Sequence, residues 1–248
     1  MLALKHQTLL LIFGLSSLLA AVVNASPLAA RGKPRYGTDW ILDPFKWGPY
    51  DEKAFEPTLT GTGLELGKKI STRGMHNGGI FSIAGPYKGH AAENLGVKNV
   101  VSAAQDCLGE VKALQLKGQL VASGMLKDPL MGDKPQAVIV MIKQPGEILD
   151  DNAEYKAASK QEKEEMKKQA IKLMCEEAWE DIKLGMYHFD NQTGNTVVVV
   201  KGKKVESAKI VDYGGDYVFH VREGVKKEVV IAFCQKEAVQ FRDEVREP

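Results

Sequence analysis

The sequence predicts an α+β fold, and three observations carry that prediction. Residues Leu64 to Ile83 read as two strands around the glycine-containing turn Gly74-Met75-His76-Asn77-Gly78-Gly79. Two segments have helical periodicity: a stripe at Ala104, Cys107, Leu108, Val111 and Leu114, and a long run from Ala153 to Leu184. A second strand pair, Thr196–Val200 and Val205–Val211, follows with Gly202 between its members. Strands and helices arrive in blocks rather than in βαβ alternation, which is the pattern of segregated α and β layers.

The elements follow in order. Lys5 and His6 precede an apolar run from Leu9 to Val23 that ends in Val23-Asn24-Ala25. A basic start, an apolar centre and a small-residue end are the marks of a secretory leader, so residues 1–25 are expected to be a signal peptide. The run is shorter than a typical membrane-spanning helix. Residues 26–60 hold Pro27, Pro34, Pro44, Pro49 and Pro57 with Trp40 and Trp47, and read as an irregular segment that docks its tryptophans. Residues 84–100 are broken by Gly85-Pro86 and Gly96 and yield no clear element. Ser102 to Leu116 reads as a helix with a Ser102/Gln105 capping box and Gly118 at its stop. Leu120–Met125 and Ala137–Ile142 are short apolar runs bounded by turn residues, hence strands. The Ala153–Leu184 helix alternates Glu and Lys in its first half, a solvated face, and carries Ile171, Met174, Ala178 and Ile182 inward in its second. Glu228–Phe233 reads as a further strand, and the charged end from Gln235 as a short helix.

Composition narrows the function classes. Lys plus Arg number 33 against 32 for Asp plus Glu, so no charge excess points to nucleic acid. No second long apolar segment exists, and no membrane association is expected once the leader is cleaved. Cys107, Cys175 and Cys234 are too few for a disulfide framework. They read equally as one bridge with one free thiol or as three buried thiols, and their spacings match no zinc site.

The chemistry concentrates between His188 and Gly214. His188-Phe189-Asp190-Asn191-Gln192-Thr193-Gly194-Asn195 is followed, across the hairpin, by Ile210-Val211-Asp212-Tyr213-Gly214. An amide oxygen and a carboxylate from two sides of a hairpin can share a hard divalent cation. A second carboxylate nearby can take the proton of an incoming hydroxyl. Asn191-Gln192-Thr193 is also a glycosylation sequon, which conflicts with a nucleotide site in the same loop.

H-x-D-x-x-x-x-N followed by D-Y-G resembles the protein-kinase-like fold. The likeness extends over roughly residues 64–220 in element order and is specific over 186–214. It implies a two-lobed fold, with residues 61–146 as a small β-rich N-lobe and residues 147–248 as an abbreviated C-lobe. It implies ATP and Mg as cofactors, Asp190 as the residue that positions or deprotonates the acceptor, and Asn195 and Asp212 as metal ligands. Glu110 would orient a phosphate-binding lysine, Lys98 or else Lys88, and Val138–Gly146 would run from a strand into the segment that contacts adenine. Gly74 and Gly78 would contribute a phosphate loop, although their turn is not G-x-G-x-x-G. Read without the resemblance, Lys98 is a solvated surface lysine, Glu110 an ordinary helix acid, and the glycines a plain hairpin turn.

The segment is also similar to secreted kinase-like proteins of fungi. That similarity implies an exported effector that acts on a host, either as an ATP-dependent phosphotransferase or as a catalytically inactive, pseudokinase-like binder of a host protein. With 34 residues after Gly214, the resemblance is expected to stop short of the long segment and helices that form the protein-substrate platform of full kinases after the D-x-G.

Overall fold

In the computed structural model the described residues are 38–45, 53–72, 77–100, 108–214 and 217–244. They form a mixed α+β architecture of antiparallel sheets and helices. The leader, Trp47, Gly74 and Cys107 lie outside the described residues, as do Ser102 and Gln105 of the expected capping box.

The first strand, β1 (Ile41–Pro44), comes from the segment expected to be irregular. Trp40 beside it does dock, making edge-on ring contacts with Tyr187 and Phe233. Strands β2 (Leu66–Ser71), β3 (Asn77–Ile83), β4 (Leu95–Val100), β5 (Leu120–Leu126) and β6 (Gln136–Ile142) form a five-stranded sheet in the order β2-β3-β4-β6-β5. Between β4 and β5 runs the helix α1 (Leu108–Leu116).

β4 is the strand that the sequence pattern did not yield. It is flanked on both sides by β3 and β6 and buried along its whole length. A central strand with both faces covered shows no alternation of polar and apolar residues, so the period-two signal is absent.

The remainder is helical with two small sheets. A short strand, β7 (Glu147–Ile148), leads to the helices α2 (Ala153–Ala157) and α3 (Lys160–Lys183). The single helix expected over Ala153–Leu184 is therefore two. Ser159 and Glu162 form a reciprocal capping box that starts α3 afresh, and the extended backbone at Ala158 and Ser159 separates it from α2. α3 buries Met166, Ala170, Met174, Ala178 and Ile182, a stripe with a four-residue step.

Strand β8 (Met186–His188) follows, then the hairpin β9 (Thr196–Lys201) and β10 (Lys204–Ile210). Gly202 and Lys203 turn the hairpin with φ of 60° and 62°. Positive φ at both central residues gives the right twist for a two-residue hairpin. β7 pairs with β9, and Gly146 just before it has φ 108°. A Cβ on Gly146 would stand 2.4 Å from the Val198 carbonyl oxygen, so only glycine lets the chain pass this close to β9.

β11 (Val218–Val221) joins β1 and β8 in a third sheet. The final element, α4 (Lys227–Glu244), corrects the strand expected at Glu228–Phe233. Its β-branched run imitates a strand, but the buried positions are Val230, Cys234 and Ala238, one every fourth residue. Cys234 is bonded to Cys175 of α3, which resolves the cysteine question in favour of a bridge.

Two apolar clusters organise these elements. One includes Leu66, Phe81, Leu95, Val97, Val138 and Val140 on the five-stranded sheet. The larger one joins α1, α3, α4 and the smaller sheets, and takes Ile139 and Val100 from the sheet's other face. Alternate residues of β4 and β6 thus serve different clusters, and the site lies where these layers meet.

Candidate functional site

A cavity of about 580 Å³ is lined by Lys98, Glu110, Asn195 and Asp212. Four different parts of the fold supply these residues: β4, α1, the loop before β9 and the segment after β10. Gly96, Met141–Gln144, Gly146 and Val197 complete much of its wall.

Lys98 is the centre of the arrangement. Its side chain leaves a buried strand, and the residue is only 3% exposed. The ammonium donates to Glu110 Oε2 at 2.7 Å and to Asp212 Oδ1 at 2.9 Å. The reading of Lys98 as a solvated surface residue therefore fails, because β4 is central rather than a loop. Glu110 is not an ordinary helix acid either, being 0% exposed.

The electrostatics follow from burial and pairing. Burial by itself would lower the pKa of Lys98, but the carboxylates of Glu110 and Asp212 reverse this and hold it above the ordinary range. Burial pushes the Glu110 carboxyl up, and Lys98 only partly offsets that. Asp212 moves the other way. Burial opposes its ionisation, yet Lys98 and the Gly214 N–H hold its pKa below the usual value. One ammonium thus faces two acids whose pKa values are displaced in opposite directions, Glu110 up and the more exposed Asp212 down.

Gly214 explains its own identity. Its amide donates to Asp212 Oδ1 at 3.2 Å. A Cβ there would stand 3.0 Å from that oxygen and 3.4 Å from the Lys98 ammonium, so a side chain would crowd the ion cluster.

Asp190 and Asn195 are held together across their loop. The Asn195 amide donates to Asp190 Oδ2 at 2.7 Å and to the Asp190 carbonyl at 3.1 Å. Gln192 Nε2 donates to the other carboxylate oxygen, Oδ1, at 2.8 Å. With its NH₂ committed, the Asn195 side chain has its carbonyl oxygen left as an acceptor. Asn195 lines the cavity, and Asp190 is not among the residues that line it.

His188 is fully buried behind this loop and packs against the Tyr213 ring at 5.1 Å between centroids. Burial, only partly opposed by Asp190 and Asp212, lowers its pKa to about 4, so it is neutral at physiological pH. Asn191 is 1% exposed and sits against Tyr187 and His188. Neither amide atom of Asn191 completes a hydrogen bond of good geometry. A glycan on Asn191 has no room in this packing, so the folded loop requires the sequon to be unmodified.

The remaining expected residues fall elsewhere. Gly78 lies in β3, where its carbonyl accepts from Lys69 Nζ at 2.7 Å, and it does not line the cavity. Lys88 is exposed on a turn with φ 46°, over the ring of Tyr87. It takes no part in the ion cluster.

Sequence reasoning missed a second buried charge cluster beside the first. Lys117, just past α1, donates to Glu177 Oε1 at 2.9 Å and to Asp181 Oδ1. Tyr213 donates its hydroxyl to Asp181 Oδ2 at 3.0 Å, and Lys209 reaches Glu177 Oε2 at 2.6 Å. A faint signal existed. Glu177 and Asp181 share the inward face of α3 with Met174 and Ala178, where unpaired acids are not expected.

Among the described residues, no three His, Cys, Asp or Glu side chains gather as a protein-built metal centre. A magnesium ion does not require one, since it keeps several waters and takes phosphate oxygens alongside one or two protein ligands. The Asp212 carboxylate and the Asn195 carbonyl oxygen suit that role chemically. Among the described residues, no helix is long and apolar enough to cross a membrane. No protein-family model matches the chain, and no curated protein is significantly similar to it.

Proposed function

We propose that this is a secreted, protein-kinase-like chain whose cavity binds a magnesium–nucleotide complex. The observation that carries the reading is Lys98, bonded to both Glu110 and Asp212 on the wall of a cavity that Asn195 shares. The sheet order β2-β3-β4-β6-β5, with α1 between β4 and β5, supports a small β-rich lobe. The helices and hairpin that follow β6 support a second lobe, and the cavity draws on both. The Cys175–Cys234 bridge supports an oxidising compartment, in keeping with export.

In this reading Lys98 meets phosphate oxygens, and Glu110 keeps it aimed into the cavity. The segment from Met141 to Gly146 faces the base. Asn195 and Asp212 hold magnesium, which offsets phosphate charge when bound. Asp190 receives the proton of the acceptor hydroxyl, and the amides of Asn195 and Gln192 fix its carboxylate.

One observation favours a second reading, a pseudokinase-like effector that binds a host protein without transferring phosphate. Both oxygens of Asp190 already accept hydrogen bonds, and the residue does not line the cavity. Asp190 is then a structural brace of the loop.

A thermal-shift measurement tests the nucleotide reading, on which the host-protein binder does not depend. With magnesium-ATP at a hundred times its Kd, the native state gains about 2.7 kcal/mol. For a chain of this size that is a rise of about 5–10 °C. Asp212→Ala should remove the magnesium-dependent part. No shift of wild type at millimolar magnesium-ATP sinks the nucleotide reading. Phosphate transfer lost in Asp190→Ala supports the enzyme, whereas host-directed activity that survives this substitution supports the binder.

A further inference from the structure

Lys98 takes its two acidic partners from separate elements. Glu110 rides on α1, and Asp212 sits on the segment after β10. The Lys98 cluster ties these two elements together through a single ammonium only. The second charge cluster adds a further tie. Lys117 continues directly from α1, Tyr213 is the next residue after Asp212, and both bind the same carboxylate, Asp181 of α3. Asp181 and Tyr213 are wholly buried, the Lys117 side chain nearly so. The Lys117 ammonium also lies 5.5 Å from the centre of the Tyr213 ring.

We propose that Lys117, Asp181 and Tyr213 form a buried latch that positions Asp212, and that the magnesium-dependent part of nucleotide binding depends on it. The second half of this inference rests on the nucleotide reading above; the first half does not. Asp181 works as a shared anchor. One oxygen holds the end of α1 and the other holds the Asp212 segment, so Glu110 and Asp212 are brought to Lys98 from a common base. The network carries two cations, Lys117 and Lys209, against two anions, Glu177 and Asp181. Paired burial of this kind is costly relative to apolar packing and is better suited to fixing one arrangement than to adding stability. The latch residues are positioning residues, since none of them lines the cavity.

The test uses two near-isosteric variants of the disulfide-intact chain, Tyr213→Phe and Asp181→Asn, with Lys209→Met as a control. Lys209 touches Glu177 but neither Asp181 nor Tyr213. The first readout needs no nucleotide. The Gly214 amide donates to Asp212, so its hydrogen exchange reports whether Asp212 is held in place. Both variants should speed exchange at Gly214 by about tenfold beyond any change at core amides such as Val97 and Ile139, whose exchange follows global stability. The control should change neither. The second readout is affinity for ATP with magnesium and for ATP in EDTA. The variants should weaken the magnesium-dependent affinity by about tenfold and leave the EDTA value unchanged, the loss of one hydrogen bond's worth of positioning. Wild-type exchange at Gly214 in both variants overturns the latch, whatever happens with nucleotide. Faster exchange at Gly214 in a chain that binds no magnesium-ATP upholds the positioning of Asp212 and refutes the nucleotide reading alone.

Discussion

Lys98 shows how much a single residue's meaning depends on its neighbours in space. Its sequence context, Gly96-Val97-Lys98, gave no reason to bury it. The reason appears only when β3 and β6 close on either side of β4, an arrangement of long-range pairings that no local pattern encodes. Asn195 and Asp212, which share a cavity wall, were picked out by a spacing that is local and chemical; Asp190, picked out the same way, does not line that cavity. The buried Lys117–Asp181 pair was not legible in this way, because its members lie far apart in the chain and each is unremarkable alone. Pairing also sets the cost of disturbing the site. Replacing Lys98 by Met leaves Glu110 and Asp212 facing each other with no cation, and breaking a buried pair in this way costs about 3–5 kcal/mol. Urea denaturation should show the midpoint fall with an unchanged slope. A Lys98→Met chain as stable as wild type would mean that the ammonium is not buried between the two acids.

At the scale of elements, the sequence was clearest where capping and period agree and least clear where they compete. The hairpin β9–β10 was recognisable from its apolar runs and Gly202. The α2–α3 break was encoded in Ser159-x-x-Glu162, but the continuous charge pattern across it masked the stop. α4 was hidden because Val229, Val230 and Ile231 are strand-formers by propensity, and tertiary packing on α3 overrides that preference. What locks α4 in place is covalent. The Cys175–Cys234 bridge closes a loop with a sequence separation of 59, both sulfurs fully buried between α3 and α4. Loop-closure entropy assigns such a crosslink about 4 kcal/mol. A Cys175→Ala/Cys234→Ala double variant should lose stability of that order in urea unfolding, with hydrogen exchange of α4 rising first. If α4 keeps its protection without the bridge, packing alone holds it.

For the molecule as a whole, two buried groups that both contact Tyr213 have titrations of opposite sign. Burial, opposed by Lys117, raises Asp181 from 3.8 to about 6 in the fold. Its folded pKa exceeds its unfolded one, so its stabilising contribution is present at low pH and is lost as pH rises through about 6. His188 is lowered by burial from 6.5 to about 4. Its folded pKa lies below its unfolded one, so its contribution is present above pH 6.5 and is lost as pH falls toward about 4. Each displacement is worth on the order of 3 kcal/mol, and the two windows overlap almost completely. The contributions of these two groups should therefore largely cancel between these limits, with Lys117, Glu177 and Tyr213 around Asp181 and Lys98, Asp190 and Asp212 around His188 setting their fine shape. Asp181→Asn removes one arm of the balance. Urea unfolding of that variant across the same range should lose stability on acidification more steeply than wild type, by about 3 kcal/mol over the whole window. Parallel profiles for the two proteins would show that Asp181 is ionised in the fold as readily as in the unfolded chain. The balance itself follows from the architecture. The same closure of helices and hairpin around Tyr213 that buries the anchor Asp181 also buries His188, so one packing event shifts both groups and keeps their pH dependences opposed.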